Sequence, residues 1–295
     1  MHEFDVLVVG DANPDLLLRG DVRPRFGQQE QLLTGADLVL GGSAAITATG
    51  CARLGLRTAL LTAVGDDFFG ALVREKLRAR DVHLIGVSAE GVPTGLTVVL
   101  NEPDDRSMLT LPGTIAALRP EDVTDELLGR TRHVHVASLY LQPALAAGLA
   151  PVFARARQKG VTTSLDTNWD PAGKWAWMPE ILPHTDFFLP NAAELDAITQ
   201  GGGAGSLTAT VVMKDGARGA RAWWPGGECS APSVPVEVVD AVGAGDSFNA
   251  GFLAAHLTGR PIGEAVAWAA IAGSLSTRAA GGTEAQARPE EIYGR

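Results

Sequence analysis

The sequence predicts an α/β protein in three layers, a mostly parallel central sheet with helices on both faces, together with a small second β-sheet. Three observations carry that prediction. The chain opens on FDVLVVG (residues 4–10), a short β-branched apolar run ended by glycine, the pattern of a strand buried on both faces. Strand-like and helix-like segments then alternate over roughly 200 residues, which implies parallel strands joined by helical crossovers. Four short, moderately apolar runs (16–19, 38–40, 96–100 and 108–111) interrupt the alternation between polar or Gly/Pro turns, and read as a small exposed antiparallel sheet made by separate excursions of the chain.

The remaining elements follow in order. Residues 43–54 are Ala-rich and read as a helix ended by Gly55. Residues 57–64 read as a strand and 68–80 as an amphipathic helix. A strand at 133–137, a helix at 145–159 and a strand at 162–166 come next, then a strand at 187–190 leading into a helix at 192–199. Residues 210–214 are another strand, 220–224 and 237–239 look like late strands, and 244–257 and 262–277 are two closing helices. GGGAGS (201–206) reads as a surface loop. No internal repeat or low-complexity linker divides the chain, so residues 1–295 read as one domain with the small sheet drawn from about 12–40 and 94–113. Right-handed crossovers place a ligand at the carboxyl ends of the parallel strands.

Charge and composition narrow the function. Acidic residues outnumber basic ones 34 to 24, for a net charge of −10, and no Lys/Arg cluster offers the basic face that a nucleic-acid-binding protein needs. A phosphate-handling enzyme stays open, because backbone N–H groups bind phosphate without net positive charge. The 46% hydrophobic and 20% charged content excludes wholesale disorder. Cys51 and Cys229 are too few for a disulfide framework or a four-thiolate zinc site. The start, MHEFDVLVVGD, lacks a basic n-region, and no apolar run approaches the ~20 residues that span a bilayer. The expectation is a cytoplasmic protein with reduced thiols and no membrane partner.

The strongest motif is DAVGAGDSFNAG (240–251). Gly243, Ala244 and Gly245 precede Asp246 and an apolar helix, so small residues open a turn whose free N–H groups form an anion site. A carboxylate beside an anion site is unfavourable unless it has chemistry to do: Asp246 could take a proton from a hydroxyl while the N–H groups stabilise a transferring phosphoryl group. In isolation the same residue reads as an acidic first-turn residue favoured by the helix dipole. The motif is no dinucleotide fingerprint, because Phe248 stands where a third glycine is due, and no P-loop sequence occurs.

Context decides. GDANPD (10–15) ends the first strand, LGGSAAITATGCARLG (40–55) puts Gly41-Gly42 before a helix, GDDFFG (65–70) follows a strand, NAAE (191–194) follows Pro190, and KDGARGA (214–220) closes a strand. This ordered set resembles the PfkB/ribokinase family of carbohydrate kinases over nearly the whole chain. The resemblance implies a ribokinase-like three-layer α/β/α fold whose small sheet is a lid, ATP and Mg²⁺ as requirements, and a sugar or nucleoside as acceptor. It implies that Asp246 is the general base and that Gly243, Ala244 and Gly245 form the anion hole. Asn13, Asp15, Gly41 and Gly42 match sugar-contacting positions. Asn191 and Glu194 match the N-x-x-E that organises Mg²⁺ and phosphates, Glu194 through water, and they read equally as a helix N-cap with its capping-box Glu. Lys214 and Gly216 match the start of the nucleotide-side loop. Asp240 and the Val242 carbonyl match a monovalent-cation loop that would take K⁺. Lid sheets of the family often pair, which implies a homodimer.

Departures shape the expected substrate. Ile46 stands where the family usually carries an Asn that contacts sugar, Asp170 where relatives often have Arg, and Ala270 where an Asn often lies near the base of the nucleotide. The first two argue against a strongly anionic acceptor, since a carboxylate or phosphate usually needs Arg or Lys at close range. The expected activity is ATP-dependent phosphorylation of a primary hydroxyl on a small neutral sugar. A nucleoside or a ketodeoxy sugar acid is the alternative acceptor, and a sugar-binding protein that has lost catalysis is the alternative from another class. His133 and His135 share one strand face and read as structural histidines rather than a metal pair. Trp169, Trp175 and Trp177 read as residues that pin a loop.

Overall fold

A computed structural model describes residues 2–102 and 106–293. Met1, residues 103–105 inside the expected small-sheet range, and residues 294–295 at the end of the expected domain lie outside the described residues. The strands are β1 (Val6–Val9), β2 (Asn13–Gly20), β3 (Leu33–Gly41), β4 (Thr58–Ala63), β5 (His83–Val87), β6 (Leu96–Asn101), β7 (Arg106–Leu111), β8 (His133–Val136), β9 (Thr162–Leu165), β10 (Phe187–Phe188), β11 (Thr210–Lys214), β12 (Ala220–Trp224) and β13 (Gly227–Ala231). The helices are α1 (Ser43–Arg53), α2 (Phe68–Arg78), α3 (Asp125–Arg130), α4 (Pro143–Ala147), α5 (Leu149–Gln158), α6 (Met178–Ile181), α7 (Ala192–Thr199), α8 (Ala244–Leu257), α9 (Ile262–Ser276) and α10 (Pro289–Tyr293).

The large sheet runs β13-β12-β11-β10-β9-β8-β1-β4-β5. It is parallel from β5 to β11 and antiparallel only in its last two pairings. β1 lies between β4 and β8, so the chain builds the sheet first to one side of β1 and then to the other. That reversal makes a crevice at the carboxyl ends of β1 and β8. Strand periodicity explains the two cores. Val6 and Val8 of β1 pack with Phe252 and Leu253 of α8 on one face, while Leu7 and Val9 pack with Phe153 of α5 on the other.

Small residues bring the helices beside the site close together. A Cβ on Gly50 would stand 2.7 Å from the Cβ of Ala250, and one on Gly251 would stand 2.7 Å from the Cβ of Ala272, so α1, α8 and α9 meet almost backbone to backbone. Gln286, itself buried, ties α1 to α8 by donating to the Ile46 carbonyl at 2.8 Å and to Ser247 Oγ at 3.3 Å.

The small sheet runs β3-β2-β6-β7. It is not wholly antiparallel as expected: β2 pairs antiparallel with β3, and β6 with β7, but β2 and β6 are parallel. β3 returns by a direct hairpin, whereas β6 is reached only after the chain has passed through β4, α2 and β5. Asp15, Leu17, Val39, Thr97 and Val99 share the face turned toward the large sheet, where a Cβ on Gly281 would come within 3.2 Å of Val39. Leu16, Leu38, Val98, Leu109 and Leu111 share the opposite face, where Leu109 and Leu111 are exposed.

Other departures have local causes. The helix expected over 145–159 breaks at Gly148, where a Cβ would collide with Pro120 at 2.3 Å. Residues 237–239 form no strand. Instead β13, masked by its mixed sequence GECSA, pairs with β12 across a tight turn. β5, a half-exposed edge strand, and the short helices α3 and α10 were below the reach of periodicity. Among the described residues no helix is long and apolar enough to cross a membrane.

Candidate active site

The crevice is built first from the loop that leaves β1. Gly42 precedes α1 with φ +88°, and a Cβ there would meet the Asp11 backbone at 2.7 Å, so only glycine fits this turn. The buried Asp11 carboxylate accepts the Ser43 and Ala44 N–H groups at 3.2 and 3.0 Å and the Ser138 hydroxyl at 2.9 Å, pinning the start of α1 to the ends of β1 and β8. Asp15 is buried on the inward face of β2, where Asn13 Nδ2 donates to its Oδ1 at 2.8 Å. A Cβ on Gly41 would lie 2.1 Å from that carboxyl, so the glycine is what gives Asp15 its room. Burial, and after it the Asp11 charge, push the Asp15 carboxyl up to about 7. As a carboxylate it can accept two hydroxyl protons from a polyol.

The second wall is the start of α8. Gly243 takes φ +73°, and a Cβ there would stand 2.6 Å from Gly282 Cα and 3.1 Å from Ile46 Cγ2. Ile46 therefore packs under this turn and against Gly282, and says nothing about the charge of an acceptor. Helix starts leave N–H groups without intrahelical partners, and Gly243, Ala244 and Gly245 present that end beside Asp246. Asp246 is only 7% exposed. Burial, and after it the Asp166 carboxylate, hold its carboxyl well above the usual range, while Lys214 acts in the opposite sense.

A polar cluster lies beneath that turn. Lys214 Nζ, at the end of β11, donates to Asp166 Oδ2 at 2.5 Å and to Asn249 Oδ1 at 3.4 Å, and Asn249 Nδ2 donates to the same Asp166 oxygen at 2.6 Å. Burial alone would lower the Lys214 ammonium, but Asp166 and Glu194 outweigh it and keep the group above its ordinary value. Burial, then Asp166, raise Glu194. Asn191 and Glu194 do form a capping box at the start of α7, with bonds of 2.8 and 2.9 Å, so the structural reading of N-x-x-E holds whatever else the pair does.

Two spaces meet these walls. An apolar cavity of about 380 Å³ is lined by Ala217, Val234, Val236, Phe248 and Ala270, together with Gly216, Lys214 and Gly245. A wider cleft of about 930 Å³ under the small sheet is bordered by Arg19, Asn101, Arg106, Val239 and Asp240. Asp240 itself bridges two loops: its carboxylate accepts Val242 N–H at 2.9 Å and Gly281 N–H at 3.0 Å.

The structure thus brings Asp246, its glycine turn, Lys214 and Glu194 together, and groups Asn13, Asp15, Gly41 and Gly42 at the start of α1, whose Ser43 side chain reaches Asp246. Asp170 is a loop anchor, its buried carboxylate accepting the N–H groups of Ala172, Lys174 and Trp175, so it carries no information about substrate charge. His133 and His135 share a buried contact with Ser164 Oγ, each at 2.7 Å, and no group of three metal-binding side chains occurs among the described residues. Trp175 stacks edge-on against Trp169 and Tyr140, which pins the loop as expected. Asp11, Asp166 and Asn249 were missed as site residues. Asp166 follows the carboxyl end of a parallel strand, where ligands sit, and Asn249 lies three residues past Asp246 on one helix, so both had a legible signal.

The sequence profile described as pfkB family carbohydrate kinase matches residues 4–288. The chain is 32% identical to an ATP-dependent ribose-1-phosphate kinase from Halopiger xanaduensis, covering 92% of this chain and 91% of that protein. Among solved structures it is similar to Arabidopsis thaliana ribokinase complexed with ribose and ATP (TM-score 0.83, 23% identity, 99% and 98% of the two chains). It is also similar to a fructokinase with bound ATP from Xylella fastidiosa (TM-score 0.84, 20% identity, 99% and 98%).

A carboxylate held this way costs the fold. Because its folded-state value lies above the unfolded one, stability falls as pH rises toward that value, and a neutral amide removes the penalty. Asp246→Asn should therefore melt no lower than wild type at about pH 8. Its kcat for phosphoryl transfer should fall by about 10²–10⁴-fold, the usual worth of a general base. Thermal melts and a coupled ADP-release assay check both.

Proposed function

The chain belongs to the PfkB family of carbohydrate kinases, and on that premise we propose that it transfers the γ-phosphate of ATP to a primary hydroxyl of a small neutral sugar. One observation carries the reading: a buried carboxylate, Asp246, shares a single helix start with the end of an apolar cavity sized for a nucleotide base and ribose. A proton acceptor and an anion site one residue apart are what direct phosphoryl transfer requires.

In this reading ATP lies in the apolar cavity with its phosphates toward Gly243, Ala244 and Gly245. The sugar sits under the small sheet with hydroxyls on Asn13 and Asp15. Closure of that sheet as a lid excludes water that would otherwise hydrolyse ATP. The acceptor oxygen attacks the γ-phosphorus in line and gives its proton to Asp246. The new O–P bond forms as the bond from phosphorus to the β,γ-bridging oxygen breaks, and ADP leaves with that electron pair. Among the described residues no cluster of three carboxylates could hold Mg²⁺ by itself, so the ion's fit rests on Glu194, a buried hard-oxygen donor, with phosphate oxygens and water supplying the rest. Held by Glu194 through water and otherwise by phosphate oxygens, as Mg²⁺ commonly is, the ion would neutralise phosphate charge. Asp240 and the Val242 carbonyl are the groups that would hold K⁺: each Asp240 oxygen accepts one backbone N–H and keeps a lone pair for a cation, and no step passes through that ion. Free Cys51 and Cys229 support a cytoplasmic location.

A second reading has its own observation. Arg19 and Arg106 border the wide cleft under the small sheet, Arg19 paired with Asp37, and guanidinium groups suit a phosphate ester. Together with the ribose-1-phosphate kinase relative, they support an acceptor that already carries a phosphate at the end of the sugar remote from Asp246. The outer face of the small sheet supports a homodimer: Leu16, Leu38, Val98, Leu109 and Leu111 form one apolar surface that a second copy would cover.

The neutral-sugar reading predicts that ribose or fructose exceeds ribose 1-phosphate in kcat/KM. A preference for the phosphate ester, lost in Arg106→Ala, establishes the second reading instead. Light scattering should give twice the 30.7 kDa chain mass, and Leu109→Asp with Val98→Asp should halve it. A wild-type monomer excludes the dimer.

A further inference from the structure

We propose that Lys214 is the cationic contact of the transferring phosphoryl group, and that Asp166 and Asn249 are positioning residues that hold its ammonium in place. The inference rests on the reading of Asp246 and the apolar cavity given above, and assigns within it a catalytic group that acts on the transition state rather than on bound nucleotide.

The placement is specific. Lys214 ends β11, and its side chain runs beneath the first turn of α8, where a Cβ on Gly245 would lie 3.5 Å from Lys214 Cδ and 3.6 Å from Nζ. The ammonium and the helix start at Gly245 are thus in van der Waals reach of each other, and both line the cavity. The lysine side chain is 13% exposed and the Asp166 side chain 3%. Asp166 Oδ2 receives both the Lys214 and Asn249 protons, and Asn249 Oδ1 receives a second bond from Lys214, so the three groups close a triangle that fixes Nζ. An ammonium has three donors, and the triangle uses two.

Asp166 and Glu194 already offset the burial of the Lys214 ammonium, but they do not explain its place, because a cation at a helix N-terminus opposes the macrodipole, which is positive there. That opposition is relieved when an anion enters between the ammonium and the helix start. The anion that reaches this point is the one nearest Asp246, one residue beyond Gly245, and in the reaction that group is the transferring phosphoryl. As the acceptor oxygen bonds to phosphorus and the bridging oxygen departs with ADP, negative charge shifts onto and around that group, and Lys214 meets it without itself gaining or losing a proton.

The test compares wild type with Lys214→Met and Lys214→Arg in kcat, in ADP and ATP affinity by calorimetry, and in thermal melting. Lys214→Met should lose about 10²–10³-fold in kcat, as when one preorganised donor is removed. ADP, which lacks the γ-phosphate, should bind both variants within about threefold of wild type, and Lys214→Arg should recover part of kcat by keeping the charge. Asp166→Asn should lower kcat with little change in KM for the sugar. A Lys214→Met enzyme within about fivefold of wild-type kcat overturns the proposal, and so does a fall in ADP affinity that matches the fall in kcat. If Lys214→Met does not melt cooperatively, Lys214→Gln, which keeps hydrogen-bonding capacity without charge, decides by the same criteria. An Asp246→Asn enzyme of full activity would instead remove the reading beneath, whatever Lys214 does.

Discussion

Everything in the crevice depends on keeping a carboxylate buried at the N-terminus of α8. Asp246 is taken out of water beside a second buried carboxylate, Asp166, and the nearest compensation is the Lys214 ammonium. An isolated buried charge would neutralise itself by binding a proton. Here one ammonium serves several acidic groups, so burial pushes Asp246 and Glu194 toward their protonated forms, and keeping either ionised costs the fold.

The scaffold meets that demand by packing backbone close to backbone. Gly50 against Ala250, Gly251 against Ala272 and Gly243 against Gly282 leave no room for a methyl group, so α8 cannot shift without disturbing α1, α9 and the loop beyond α9. Gln286 and Asp240 hold the same seam by hydrogen bonds. Asp11 locks the start of α1 to β1 and β8, and Asn13 holds Asp15 on the neighbouring strand. On the large-sheet side the site is held by this close packing, and Val39 of the small sheet faces it across Gly281.

Much of this was legible in the sequence where short-range rules operate. Apolar strands such as β1 and β8, the glycine turn before Asp246 and the capping box at Asn191 follow from local pattern, and each stands where pattern puts it. Long-range geometry was not legible. Ile46 and Asp170 looked like substrate-facing departures, yet one packs under Gly243 and the other anchors its own loop, since contact partners far along the chain leave no trace in local spacing. Lys214 looked like a loop residue of the nucleotide side, and only the fold brings it to Asp166, 48 residues earlier. The parallel pairing of β2 with β6 likewise depends on the route the chain takes between them.

The most direct measurement is the pH dependence of the single-turnover rate of phosphoryl transfer, with both substrates saturating so that binding at Asp15 drops out. With the Asp246 carboxyl held above the ordinary carboxylate range, the group is protonated and inactive at low pH. The rate should climb tenfold per pH unit, through an apparent pKa above the ~3.9 of a free aspartate, to a plateau, and this climb should vanish in Asp246→Asn. A wild-type rate that stays flat from about pH 4 to pH 9, or a climb that persists unchanged in the Asn variant, would contradict the assignment of Asp246 as the base.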